Sequence, residues 1–144
     1  MASLDRAYGA RGALIAVSMA AVAGAVHGTF AHAFDFVATK VLIGIAGSVV
    51  LIMAGVISAR QSWASTIALG LTMGAVFFLG RWTCWALMEG GLPEAAVFLT
   101  TAPWMWPGFL EAAGISGYWI VEAVSMCVPA MIGCVTGHER AATA

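Results

Sequence analysis

The stretch VLIGIAGSVVLIMAGVISA, Val41 to Ala59, lies between Lys40 and Arg60 and contains no ionisable side chain. A helix needs about 20 mainly apolar residues to cross the hydrocarbon of a bilayer. This run meets that requirement and reads as a transmembrane helix. On its N-terminal side a second uncharged run fills the interval between Arg11 and Asp35. On its C-terminal side a third extends from about residue 63 to 88, with Arg81 inside it, and a fourth from about 117 to 137, with Glu122 inside it. The spans are therefore expected at about 12–34, 41–59, 63–88 and 117–137. The fold class that follows is all-α: one integral membrane domain over residues 1–144, built as a four-helix transmembrane bundle.

Composition agrees. Apolar residues make up 62% of the chain and charged residues 9%, against roughly 45–50% and about 25% in soluble domains. The net charge of −1 gives no electrostatic footing for a nucleic-acid partner. The expected surroundings are the lipid bilayer. Arg6 and Arg11, with Ala31-His32-Ala33 beyond them, have the outline of a cleavable signal. The apolar run between is too long for such a segment and is read as a retained span.

Orientation follows from Lys and Arg in the short loops. Arg6, Arg11, Arg60 and Arg140 fall on one side, and Lys40 with Asp35, Glu89, Glu94 and Glu111 on the other. Both termini are thus expected in the cytoplasm. Residues 89–116 become a long extracytoplasmic loop between helices three and four. Trp85, Trp104, Trp106, Tyr118 and Trp119 supply an aromatic belt at that end, and Trp63 marks the opposite boundary. Within the loop, Ala95 to Ala102 is too short to span and reads as an interfacial or re-entrant segment. The whole loop serves either as a lid or as a connector resting on headgroups.

Lipid tails give helices no hydrophobic reason to associate, so small residues mark contacts. Ala16, Ala20, Gly24 and Gly28 recur every fourth residue in helix one. Gly70 and Gly74 do so in helix three, and Ser125, Pro129, Gly133 and Gly137 in helix four. These stripes serve contacts within the bundle or between protomers, so a homo-oligomer is one expected state.

The ionisable residues inside the spans carry the functional question. With about 1.5 Å rise per residue, Arg81 lies roughly 12 Å, Glu122 roughly 8 Å and His27 roughly 9 Å inside the outer helix ends. An insertion cost of roughly 2.5–3.5 kcal/mol per charge at a helix centre favours pairing Arg81 with Glu122. A bidentate pair of this kind can be purely structural. It can also form a site, because a guanidinium has five donors and one carboxylate does not use them all. Pro129 removes the amide that would bond the Ser125 carbonyl. Cys84 and Trp85 lie one turn from Arg81, and Ser125 one turn from Glu122. With Phe77, Phe78 and Met126 they outline a site for a small amphipathic ligand, Glu122 and Arg81 being the candidate catalytic pair and His27 a further ligand contact.

Cys84, Cys127 and Cys134 form no metal-ligand pattern and read as small apolar packing residues, so no metal is expected. His27 and His32 point about 140° apart on one helix and do not converge on one metal. Either could be an axial haem ligand, and a satisfied polar histidine is the plainer reading. His32 is three residues from Asp35 and suited to pair with it. His138 reads as solvated. Glu89 and Glu94, around Gly90-Gly91-Leu92-Pro93, read as an exposed turn.

The segments LGRWTCWALMEGGLP and WIVEAV together resemble a family of small bacterial four-helix membrane proteins related to the DoxX-like group. The carriers of the resemblance are Gly80-Arg81 near the end of helix three and Glu122 in helix four. It implies a compact bundle with Arg81 and Glu122 as a shared polar core, and a place in the bacterial inner (cytoplasmic) membrane. The 89–116 loop is longer than that family's. By analogy of architecture, small membrane isomerases use buried acids on apolar substrates.

Three functions follow as expectations. The first is binding of a small hydrophobic or amphipathic molecule at the Arg81–Glu122 site, with isomerase- or lyase-like acid/base conversion if the protein is an enzyme. The second is an accessory subunit packed in a larger membrane complex. The third is haem binding through His27 or His32. Transport has less footing, because one polar layer near one face does not make a path across the membrane.

Overall fold

A computed structural model of the chain describes residues 2–34, 37–58, 62–100 and 119–143, with side chains at 9–34, 38–58, 62–100 and 123–143. It is all-helical over these residues. The four helices are α1 (Ala2–Ala33), α2 (Val37–Ser58), α3 (Trp63–Thr100) and α4 (Trp119–Thr143). Three are long and apolar enough to cross a membrane: Gly9–Ala33, Ala38–Ser58 and Trp63–Thr100, of 25, 21 and 38 residues. That makes the chain a membrane protein. The interval from 101 to 118, which holds most of the expected loop and its tryptophans, lies outside the described residues, as do Asp35 and the side chain of Glu122.

Close approaches fix the helix directions. Gly12 lies against Ser58 and Gly44 against His27, so α1 and α2 are antiparallel. Gly24 meets the backbone of Phe77 and Gly28 that of Arg81, so α1 and α3 run parallel. Gly70 faces Met131 and Gly74 faces Cys127, so α4 runs antiparallel to α3. The helices form a ring in the order α1, α2, α4, α3, with α2 and α3 barely touching across the middle. Helices three and four are neighbours, as their order in the chain implies. The start of α1 and the end of α4 lie at the same end of the bundle, near Ser58 and Trp63.

The packing is inverted relative to a soluble bundle. Small residues line the contacts: Ala16, Ala20, Ala54 and Ala130 are at most 1% exposed, and Gly24, Gly28, Gly133 and Gly137 are buried. Leu14, Val22, Leu42, Met53 and Val124 face outward, where lipid replaces water at no hydrophobic cost. Leu51, Met73, Phe77 and Cys134 fill the centre, and the Cys134 thiol approaches the Met73 sulfur at 3.8 Å. All three cysteines are free thiols. Hydroxyls inside the helices bond back one turn, as Ser48 does to Gly44 and Thr72 to Ala68 at 2.9 and 2.8 Å. With no water in the bilayer core, such internal partners are required.

Helix α3 departs from the expected span. It continues past Met88 to Thr100, interrupted at Gly91, whose φ of 71° and ψ of −158° are non-helical. Only glycine adopts this region without strain. Pro93 falls in the first turn after the break, where a missing amide costs nothing. Phe98, fully buried, belongs to one cluster with Phe78, Trp82 and Ala86. A straight helix would set Phe98 about 18 Å beyond Ala86, so the break folds residues 92–100 back onto residues 63–90. The reading of 89–116 as loop is thus corrected for its first twelve residues. The Gly-Gly-Leu-Pro turn joins two helical arms, the second short and folded back on the first.

A methyl group added at Gly28 would collide with the Arg81 carbonyl, whereas one at Gly44 meets nothing closer than 3.9 Å. Gly28→Ala is expected to lose about 1–3 kcal/mol through overpacking, and Gly44→Ala to stay within about 0.5 kcal/mol of the parent. Unfolding midpoints in a detergent titration followed by circular dichroism check both.

Candidate functional site

The polar residues of the spans gather toward the end of the bundle where α1 finishes and α3 breaks. The small-residue stripe of α1 determines the level. Because Gly28 rests on the Arg81 backbone, His27 and Arg81 lie at the same depth on neighbouring helices. The antiparallel register of α3 and α4, 70 against 131 and 74 against 127, continues to place residue 122 level with residue 79. The backbone of Glu122 is therefore within a turn of Arg81. The side chain of Glu122, the third member of the expected polar layer, lies outside the described residues.

The surroundings of these groups differ. Arg81 is half-buried, its guanidinium carbon 5.0 Å from the centroid of the Trp82 ring. Cations are attracted to the negative face of an indole. Trp82 is 1% exposed, and its Nε1 has no hydrogen-bond partner among the described residues. His27, 4% exposed, leaves its Nδ1 likewise unpaired. Its ring meets Phe77 edge-on at 5.7 Å. Each buried polar atom left without a partner costs about 1–3 kcal/mol. The expectation that His27 is a satisfied core histidine is therefore not met.

Above this layer, aromatic rings step toward the helix end. Phe78 and Trp82 lie 6.3 Å apart, Trp82 and Trp85 5.6 Å, and Trp85 and His32 6.2 Å. His32 Nε2 is 3.0 Å from the Glu89 carboxylate. While Asp35, its expected partner, lies outside the described residues, His32 thus has a partner in Glu89, 57 residues away. Only tertiary structure brings the two together. The contact ties α1 to the last turn before Gly91.

The residues expected to line one site divide between two clusters. Phe77 and Met126 belong to the central core. Phe78 joins Trp82 and Phe98, with Trp85 packed against them. Cys84 is half-buried and Ser125 exposed. Trp82 was not among the expected site residues. Its signal was the Phe78, Trp82, Ala86 spacing of four, which puts it on the buried face of α3 next to the arginine. His138, expected in water, is half-buried. Its Nδ1 lies 3.3 Å from the Thr66 hydroxyl and its ring 4.3 Å from Trp63.

Two apolar grooves open sideways from the bundle. One, of about 650 Å³, runs between α1 and α2 and includes His27 in its lining. The other, of about 510 Å³, runs between α3 and α4 past Phe78, Ala123 and Cys127. Neither is lined by Arg81 or Trp85. Among the described residues no three His, Cys, Asp or Glu side chains are grouped to hold a metal ion. Compared with protein-family models, with curated proteins and with solved structures, the chain has no match.

What the layer can do chemically follows from its own residues. Arg81 and the Trp82 indole are both hydrogen-bond donors, so the vicinity of Arg81 suits an acceptor oxygen. Residues 92–100 cover this cluster from one side through Phe98. Gly91→Ala, strained by about 1–3 kcal/mol at this φ, is expected to release that cover. Hydrogen exchange followed by mass spectrometry should show faster exchange in 92–100, with protection in 63–80 retained.

Proposed function

We propose that the chain is a four-span protein of the bacterial cytoplasmic membrane that binds a small hydrophobic or amphipathic molecule at the level of Arg81 and Glu122. In this reading α4 is the fourth span, both termini face the cytoplasm, and the break at Gly91 faces the outer side. What supports it is the common level of His27 and Arg81 on neighbouring helices, to which the α3–α4 register extrapolates for Glu122, beside a buried Trp82 indole without a partner among the described residues. An ionisable residue kept inside a membrane span is costly and usually functional. The resemblance to the DoxX-like group, which rests on Gly80-Arg81 and Glu122, supports the same pair.

Arg81 orients an oxygen of the bound molecule, and the Trp82 cluster receives its apolar part. Where that molecule has an acidic C–H next to a carbonyl, Glu122 takes the proton from one carbon and returns it to another. Such an isomerisation balances without a co-reactant. A carboxyl in apolar surroundings is suited to proton transfer near neutral pH.

Native mass spectrometry of the detergent-solubilised protein tests the proposal. The parent is expected to carry a bound small molecule, and Glu122→Gln and Arg81→Gln to lose it while keeping the parent's helix content and oligomeric state. If both variants retain the molecule, the proposal fails. If both lose helix content instead, the pair is structural. A protein isolated only with a stoichiometric membrane partner supports the accessory-subunit reading.

A further inference from the structure

From the groove between α1 and α2 we infer a second binding site, for a long-chain amphiphile with a neutral oxygen head, whose head bonds His27 and whose tail fills the groove. The groove extends along α1 from Leu14 to His27, about 20 Å at the helical rise. Its lining is almost wholly apolar. Leu14, Val22 and Val26 from α1 and Ile43 and Val50 from α2 form its walls. Leu14, Val22 and Val26 are also exposed on the outer surface, so the groove opens where lipid lies and a tail can enter sideways.

Among the lining residues only Ser18 and His27 have polar side chains. Ser18 is exposed, about 14 Å down the groove from His27. His27 ends the groove at 4% exposure, its enclosed Nδ1 without a hydrogen-bond partner among the described residues and its Nε2 toward Gly44 of α2. A buried imidazole left this way gains from any ligand that supplies a hydrogen-bonding oxygen, whether a hydroxyl that donates or a carbonyl that accepts. No lining residue is charged. A charged head would give up its hydration there without compensation, so the head is neutral. The site shares His27 with the polar layer of the proposed function, while the rest of the lining comes from α1 and α2 and includes neither Arg81 nor Glu122.

The test compares 1-hexadecanol with hexadecane, which differ only in the head, on the full chain in detergent micelles. Binding is followed by native mass spectrometry and by ¹⁵N resonances of the three histidines. Hexadecanol is expected to bind about two- to twelve-fold more tightly than hexadecane, the worth of one net hydrogen bond, and to move the His27 nitrogen resonances alone. His27→Phe should remove the preference and keep hexadecane binding. Ala46→Phe, at an exposed lining position, should weaken both probes. Equal affinity for the two probes overturns the inference, since the groove then takes any lipid chain. Failure of both to bind, or hexadecanol binding undiminished in Ala46→Phe, also overturns it. If His27→Phe does not fold, the Ala46→Phe result and the parent's ¹⁵N shifts still decide.

Discussion

The contact on which this structure depends is the backbone-to-backbone packing of α1 on α3. Gly24 and Gly28 carry no side chain, so the Phe77 and Arg81 carbonyls come as near as a methyl group would otherwise sit. At that separation dispersion between main chains and side-chain stems acts over the length of the pair. In a bilayer, where apolar side chains gain nothing by leaving lipid, this close packing is a principal source of association. It also sets the depth of Arg81. The guanidinium does not float at a depth of its own choosing, because its backbone is seated on Gly28. The polar layer and the tightest helix contact are therefore one feature of the fold.

Much of the architecture was legible in the sequence, because a bilayer admits few solutions. Apolar runs of adequate length, separated by Asp35, Lys40 and Arg60, give helices at nearly the right places. The small-residue stripe at Ala16, Ala20, Gly24 and Gly28 is the buried face of α1 in the structure. What could not be read was pairing at long range. His32 meets Glu89 only because α1 and α3 run parallel and end together, and no spacing encodes that. The fold-back after Gly91 was hidden for another reason. Gly-Gly-Leu-Pro is equally the sequence of an exposed turn and of a sharp reversal between helices, and only the burial of Phe98 and Ala95 separates them. His138 illustrates the same limit. A histidine beside Glu139 and Arg140 reads as solvated until Thr66 and Trp63 are found beside it.

The candidate site was legible in part. The depths of His27, Arg81 and Glu122 are expected from counting residues along helices, and the contact of Gly28 with Arg81 sets the first two at one level. The site's walls do not follow from counting. Phe77 and Phe78 are adjacent in sequence and so point to different clusters, one central and one under the short arm. Residues that look like one lining thus serve two. The grooves, too, are products of helix spacing. Ala46 and Gly47 line one of them, and Gly74 and Ala75 the other.

The seating of Gly24 and Gly28 has a mechanical corollary. Sliding α1 along α3 by one turn, about 5.4 Å, would bring His32 to the Arg81 carbonyl in one direction and Ala20 to the Phe77 carbonyl in the other. Each has a β-carbon where the interface accommodates none. The pair behaves as a latch with a single notch. Any relative movement within the bundle must then come from α2, from α4, or from the arm beyond Gly91, while α1 and α3 stay in step as the fixed frame.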